Sequence, residues 1–214
     1  MHRLDPTSNT ITPFENHDVM SLSLINNKLT CLGIWAGLYG WDVSVPNQPN
    51  NLGYRIDDIS QIDIASYPSI GGFGSWHSWI RNDGTHHYVA NIADKKLKKI
   101  EEGTLNYSVI NEVDIVGYAT AFEIAGNIGY ITTRSRPQPP LQVGLERIVM
   151  IDLTSMTILD THSLADPSGV TVIEDMVYVS DRIGLQIFDV SQGNLDLLTS
   201  YAPGFGRYIS KNNL

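Results

Sequence analysis

The chain has 214 residues, is 42% hydrophobic and carries 14 Lys and Arg against 23 Asp and Glu, a formal net charge of −9. That length suffices for one domain with a real core, or for several small units that share one. The acidic balance argues against a nucleic-acid partner, and no apolar run approaches the roughly 18 residues that a membrane-spanning helix needs.

Short runs rich in β-branched and aromatic residues, bounded by Gly, Asn, Asp and Pro, predict strands almost throughout and no long helix. In chain order, residues 1–16 open in the third strand of a unit whose first two strands are absent. A first complete unit is expected over 18–57, with strands at 21–25, 29–35, 37–42 and 51–56. A second follows over 74–116, with strands at 76–80, 86–91, 95–100 and 107–115. Its Lys95, Lys96, Lys98 and Lys99, followed by Glu101 and Glu102, read as the charged outward positions of a hairpin. A third unit covers 117–166, its middle turn swollen by residues 134–144, and a fourth covers 167–201. Residues 202–214 match the opening of the fourth unit at an offset of 37 and begin a fifth.

The same phrase closes the third strand of most units: an Asp, one residue, then a hydroxyl. Asp5 and Thr7, Asp42 and Ser44, Asp152 and Thr154, and Asp189 and Ser191 are its copies, and Asp5 to Asp42 and Asp152 to Asp189 are both spaced by 37. A fixed period of this size denotes a repeat architecture. The Asp and hydroxyl are expected to accept backbone N–H bonds and fix the turn into the outer strand, which is a structural role. Four-stranded units repeated around an axis are the blades of a β-propeller, because an open array would leave sheet edges and faces bare. The fold class expected is therefore all-β, a partial or five-bladed β-propeller of four-stranded antiparallel blades, incomplete at both termini. Either the chain is a piece of a longer array, which is the reading preferred, or a ring closes through a blade split between the two termini.

At Tyr178-Val-Ser-Asp181, Gly184-Leu-Gln-Ile-Phe-Asp189 and Ser191 the chain resembles the LVIVD repeat family, and Asp42-Val-Ser44 with Pro46, Pro49 and Gly53 is similar to that repeat's continuation. Ile151-Asp152-Leu-Thr154 is closer to the YVTN type of propeller repeat, whereas the second unit has Ile100-Glu101-Glu102 where the Asp and hydroxyl would stand. The resemblance implies a binding scaffold for a protein or a carbohydrate. It also allows an extracytoplasmic or secreted location, although residues 1–9 hold no hydrophobic segment of the signal-peptide kind.

No catalytic motif stands out. If the units surround an axis, the residues leading into the innermost strands line the channel mouth: His17 and Asp18, Trp76 and His77, Ala119 and Thr120, Asp166 and Ser168, and Phe205. His17, Asp18, Trp76, His77, Asp166 and Ser168 are the candidate ligand-binding set, with Trp76 a stacking platform for a planar ligand such as a sugar. No cofactor is expected. The alternative is a hydrolase or lyase in which His17, Asp18, His77 and Asp166 hold a divalent cation. His86 and His87 are adjacent on a strand and point to opposite faces, so they are not expected to chelate one ion. Cys31, the one cysteine, has no internal disulfide partner.

Overall fold

The computed structural model describes residues 2–4, 11–13, 19–33, 37–45, 50–54, 79–91, 95–102, 107–135 and 145–202. They hold 18 strands and no helix. A short hairpin, β1 (His2–Leu4) with β2 (Ile11–Pro13), precedes four antiparallel sheets of four strands each. The first sheet is β3 (Val19–Ile25), β4 (Lys28–Gly33), β5 (Gly37–Asp42) and β6 (Asn50–Tyr54). The second is β7 (Trp79–Asn82), β8 (His87–Asn91), β9 (Lys96–Glu102) and β10 (Tyr107–Asp114). The third is β11 (Tyr118–Ala125), β12 (Ile128–Arg134), β13 (Arg147–Asp152) and β14 (Thr157–Ser163). The fourth is β15 (Gly169–Ile173), β16 (Met176–Ser180), β17 (Leu185–Asp189) and β18 (Asp196–Tyr201).

Each sheet is a meander in chain order. The first strands then touch in series, β3 on β7, β7 on β11 and β11 on β15, so the sheets stand side by side with their opening strands innermost. Every sheet also carries a register shift between its third and fourth strands. A bulge there increases local twist and swings the outer strand away from its neighbours. This is the architecture of a β-propeller, present as an arc of four sheets among the described residues.

Strand alternation explains the seams. In the third sheet Phe122, Ile131, Val149 and Ile151 face one way, into a core with Tyr88, Ala90 and Leu97 of the second sheet. Their neighbours Ala121, Tyr130, Ile148 and Met150 face the other way, into a core with the fourth sheet. The seam between the first two sheets is mixed: Ile80, Val89 and Ile100 are fully buried on that face of the second sheet, and polar groups lie among them. His87, 1% exposed, bonds through Nδ1 to Ser23 Oγ at 3.0 Å and through Nε2 to Thr30 Oγ1 at 3.2 Å. Asn82 Nδ2 donates to Ser23 Oγ at 2.7 Å, and the Ile80 N–H donates to Ser21 Oγ at 3.1 Å. The lysine stretch is correspondingly not all outward, for Lys98 is 4% exposed while Lys96 pairs with Glu112 at the surface.

The repeated Asp lies where the third strand ends. Its Oδ1 accepts the N–H two residues on in three sheets: Ser44 to Asp42 at 2.9 Å, Thr154 to Asp152 at 2.7 Å and Ser191 to Asp189 at 2.8 Å. The intervening residue donates across to the turn between the first two strands: Val43 N to Asn27 O, Leu153 N to Asn127 O and Val190 N to Asp175 O, at 2.7, 3.0 and 2.9 Å. In the first sheet that turn has φ of 46° at Asn26 and 63° at Asn27, the left-handed pair that matches strand twist. The second sheet, lacking the phrase, uses Asp83, which accepts from the Thr85 and His86 N–H groups at 2.8 and 2.7 Å and from the Tyr88 hydroxyl at 2.7 Å.

Two predictions follow from this packing and these turns. Ile131→Ala, at a position fully buried between the second and third sheets, is expected to lower the unfolding free energy by about 3 kcal/mol. Leu22→Ala, at a site 45% exposed, should cost under about 1 kcal/mol; urea denaturation reads both.

The carboxylates set an acid limit. The Ser44 hydroxyl and N–H depress Asp42, and backbone N–H groups depress Asp152 and Asp189. At Asp83 burial alone would raise the carboxyl, but its hydrogen bonds prevail and carry it down to about 2. A group depressed in the folded state stabilises above its unfolded value, about 3.9 for Asp, and that contribution disappears as pH falls through the folded value. Urea midpoints should therefore drop steeply between about pH 4 and pH 2, and Asp83→Asn should flatten part of that drop.

Candidate functional site

In a four-stranded meander, the turn between the second and third strands and the connection into the next sheet lie at the same end. At the third and fourth sheets these segments are tied together. The connection, residues 164–168, leaves β14 with the Leu164 N–H on Glu146 O at 2.9 Å and enters β15 with the Ser168 N–H on Ser180 O at 2.9 Å. Arg182 in the β16–β17 turn donates its N–H to Ala165 O at 2.6 Å.

Asp181 is the centre of this arrangement. It is 2% exposed. Its Oδ1 accepts the N–H groups of Ile183 at 2.8 Å and Gly184 at 3.0 Å, and its Oδ2 accepts the Ala165 N–H at 3.1 Å and the Gln186 side-chain amide. Burying a carboxylate is costly unless its oxygens are satisfied, and here four donors converge on it. Gly184 is required for the turn: its φ is 148°, and a Cβ would lie 1.9 Å from Tyr201 O.

Around this buried anchor the exposed mouth is charged. Arg134, at the end of β12, reaches Asp166 Oδ1 at 3.4 Å and so bridges the third sheet to the connection. Asp166 sits at φ 54°, a conformation uncommon for a residue with a side chain. Ser135 donates to Glu146, whose carboxyl burial would raise and this bond lowers. Thr133 Oγ1 donates to Leu145 O at 2.7 Å.

Of the residues singled out from the sequence, Asp166 and Ser168 lie here, and Ser168 Oγ is 3.2 Å from Ser180 Oγ. Ala119 is fully buried in the core, and Thr120 is buried with its hydroxyl 2.9 Å from Thr132 Oγ1, so neither opens to the mouth. His17, Asp18, Trp76, His77 and Phe205 lie outside the described residues. Sequence reasoning missed Asp181, Arg134, Arg182 and Gln186. Asp181 ends the Tyr178-Val-Ser-Asp run, which was legible as a repeat motif but not as the anchor of the mouth.

Other candidate groups are occupied elsewhere. His86 sits 3.5 Å from Asp83 while His87 turns into the first seam, so the two part company. Burial pushes the Cys31 thiol up to about 12, which makes it a packing residue and not a nucleophile.

No family model matches the sequence, and no curated protein matches it. Solved structures do. A Lactobacillus plantarum protein is 14% identical with a TM-score of 0.68, over 97% of this chain and 66% of its own. A chain of the mitotic checkpoint complex is 12% identical with a TM-score of 0.68, over 97% of this chain and 60% of its own. BamB from Moraxella catarrhalis is 12% identical with a TM-score of 0.54, over 89% of this chain and 50% of its own. At such identities the likeness is one of fold, and it is the β-propeller fold; this chain spans two thirds or less of each.

Asp181→Asn tests the anchor. It preserves shape but turns one acceptor into a donor facing the Ala165 N–H and the Gln186 amide. A loss of about 2 kcal/mol in urea denaturation is expected, with faster hydrogen exchange at Ala165 and Gly184 than in the unsubstituted chain.

Proposed function

We propose that this chain is a non-catalytic β-propeller module, built of LVIVD- and YVTN-type repeats, whose mouth is a binding platform for a protein ligand. The observation that carries the reading is how the mouth uses its polar groups. Asp181 is committed to four donors, Asp166 to Arg134, Ser168 to Ser180 and Glu146 to Ser135. Such groups stiffen loops instead of activating a nucleophile, for which a base would have to be aimed at a free hydroxyl or water. A rigid rim that displays charge loses little entropy on binding and selects partners by electrostatic complementarity.

Two further observations support a scaffold. The Asp-x-Ser/Thr copies at the opposite end make three matching backbone turns, the structural role expected from their turn chemistry. One structural neighbour belongs, by its name, to a protein assembly. The hydrolase or lyase reading would need His17, Asp18 and His77 to meet Asp166 around a cation, whereas Asp166 is already paired with Arg134.

Cross-linking mass spectrometry on the chain in extract of its source tests the proposal. Linked peptides from a single partner protein are expected beside Arg134, Asp166 and Arg182, and should be lost in an Arg134→Glu, Arg182→Glu double variant. Links confined to the outer strands would overturn it, as would turnover of ester or lactone substrates that is abolished by Asp166→Asn. Binding to a glycan array, without protein links, would replace the protein ligand with a carbohydrate.

A further inference from the structure

The turn between β16 and β17 is fixed by its two ends. Asp181 and Gly184 close a two-residue hairpin loop, with the Asp181 N–H on Gly184 O at 2.8 Å and the Gly184 N–H on Asp181 O at 3.2 Å. Asp181 Oδ1 also takes the Ile183 and Gly184 N–H groups, and the Arg182 N–H is committed to Ala165 O. Asp at the first position and Gly at the fourth are favoured by turns whose two central residues keep negative φ, and neither Arg182 nor Ile183 has a positive φ. The turn is thus encoded by its ends, and the central pair is left open by the backbone.

The residues that fill it are ones a turn does not select. Gly, Pro, Asn, Asp and Ser dominate turn centres, whereas here stand an arginine and a β-branched aliphatic residue. Arg182 is exposed, and its guanidinium forms no ion pair or hydrogen bond among the described residues. Ile183 is 54% exposed and belongs to neither core. The neighbouring carboxylates do not need Arg182: Asp166 has Arg134 at 3.4 Å, and Asp181 is satisfied by its four donors. A cation and an aliphatic side chain therefore stand side by side on a loop whose backbone N–H groups are all fixed.

Resting on the reading of the mouth as a platform for a protein, the geometry points to Arg182 and Ile183 as its recognition pair, and to a partner segment that presents an Asp or Glu carboxylate next to an aliphatic side chain. Arginine takes a carboxylate through two parallel N–H···O bonds. Ile183 beside it loses apolar surface to water when the partner's aliphatic residue covers it. Asp181 precedes Arg182, and Asp166 follows the carbonyl that holds it, so a phosphate dianion meets more repulsion here than a single carboxylate does. Because the loop is already ordered, binding costs little beyond side-chain entropy.

Arrays of short peptides probed with the purified chain test this. Peptides that pair Asp or Glu with Leu or Ile are set beside versions in which Lys, Gln or phosphoserine replaces the acid, or Ser replaces the aliphatic residue. The acidic–aliphatic peptides should bind best, more weakly as salt is raised, and about tenfold more weakly to Arg182→Glu and to Ile183→Asn. The urea midpoint of Arg182→Glu should match the parent, and that of Ile183→Asn should equal or exceed it, since Asn suits a turn centre. The inference is overturned if the acidic–aliphatic peptides bind no better than the substituted ones, if either variant binds them as the parent does, or if Ile183→Asn lowers the midpoint and so marks Ile183 as structural. Partner cross-links beside Arg134 and Asp166 that persist in both single variants would retain the platform and overturn this pairing alone, whereas links confined to the outer strands would remove the platform itself.

Discussion

The whole molecule depends on one constraint: a strand sends alternate side chains to opposite faces, so a sheet apolar on both faces must be covered twice. A meander of four strands has no helix with which to cover itself, and the nearest cover is the next meander. Tyr130 and Ile131 are adjacent in β12 yet lie in different cores, one shared with the fourth sheet and one with the second. Repetition of that alternation gives the series of inner strands β3, β7, β11 and β15, and the bulge before each outer strand adds the twist that lets broad sheets converge on narrow inner edges.

The seams are not energetically equivalent. The two apolar seams gain from buried area, whereas the first combines buried Ile80, Val89 and Ile100 with hydrogen bonds among Ser21, Ser23, Thr30, Asn82 and His87. Such bonds contribute about 1 kcal/mol each when made, but each donor or acceptor left unmade costs about 1–3 kcal/mol. The hydrogen bonds of the first seam therefore add less net stability than its buried Ile80, Val89 and Ile100, but they fix its alignment. Arg81 extends this fixing along the inner edge: its guanidinium donates to Ser21 Oγ at 3.2 Å and lies 3.7 Å from Glu123, so one side chain ties β3 and β11 to its own β7. Burial lowers its pKa and Glu123 opposes that shift, as expected for a charge whose desolvation is offset by a partner.

Much of the fold was legible because it rests on local, periodic signals. The spacing of Asp42, Asp152 and Asp189 encodes turns that close within a few residues, and each Asp accepts a backbone N–H as expected; the hydroxyls do not take the accepting role expected of them, since Ser44 donates to Asp42 and Thr154 to Asn127 Oδ1. The third sheet's swollen middle turn was also visible: β12 and β16 are offset by 48, β13 and β17 by 37, and the difference of 11 lies in that turn. What was not legible depends on contacts between units. Lys98 read as an outward charge and His87 only as one of two histidines on opposite faces, yet both are buried, because nothing local reveals that Ser21, Ser23 and Thr30 of another unit will meet that face. Asp181 was hidden for the same reason, since one of its four donors, Ala165, is 16 residues away in the preceding connection.

This division has a functional consequence. At the end of the repeated Asp, each sheet closes its turns with its own residues, Leu153 on Asn127 and Val190 on Asp175, and a neighbour adds to two of them: Tyr88 and Lys99 of the second sheet reach Leu153 O, and Asp160 of the third accepts the Leu195 N–H of the fourth. At the mouth the supports cross between sheets: Arg134 of the third holds Asp166, and Asp181 and Arg182 of the fourth hold Ala165 on the way in from the third. Loops supported by their neighbours keep their shape only while the neighbours stay seated. A ligand bound across the mouth would accordingly favour the seated arrangement and would stabilise it in proportion to the logarithm of one plus the ratio of free ligand to Kd. The apolar seams position the rim, and the rim reports on the seams.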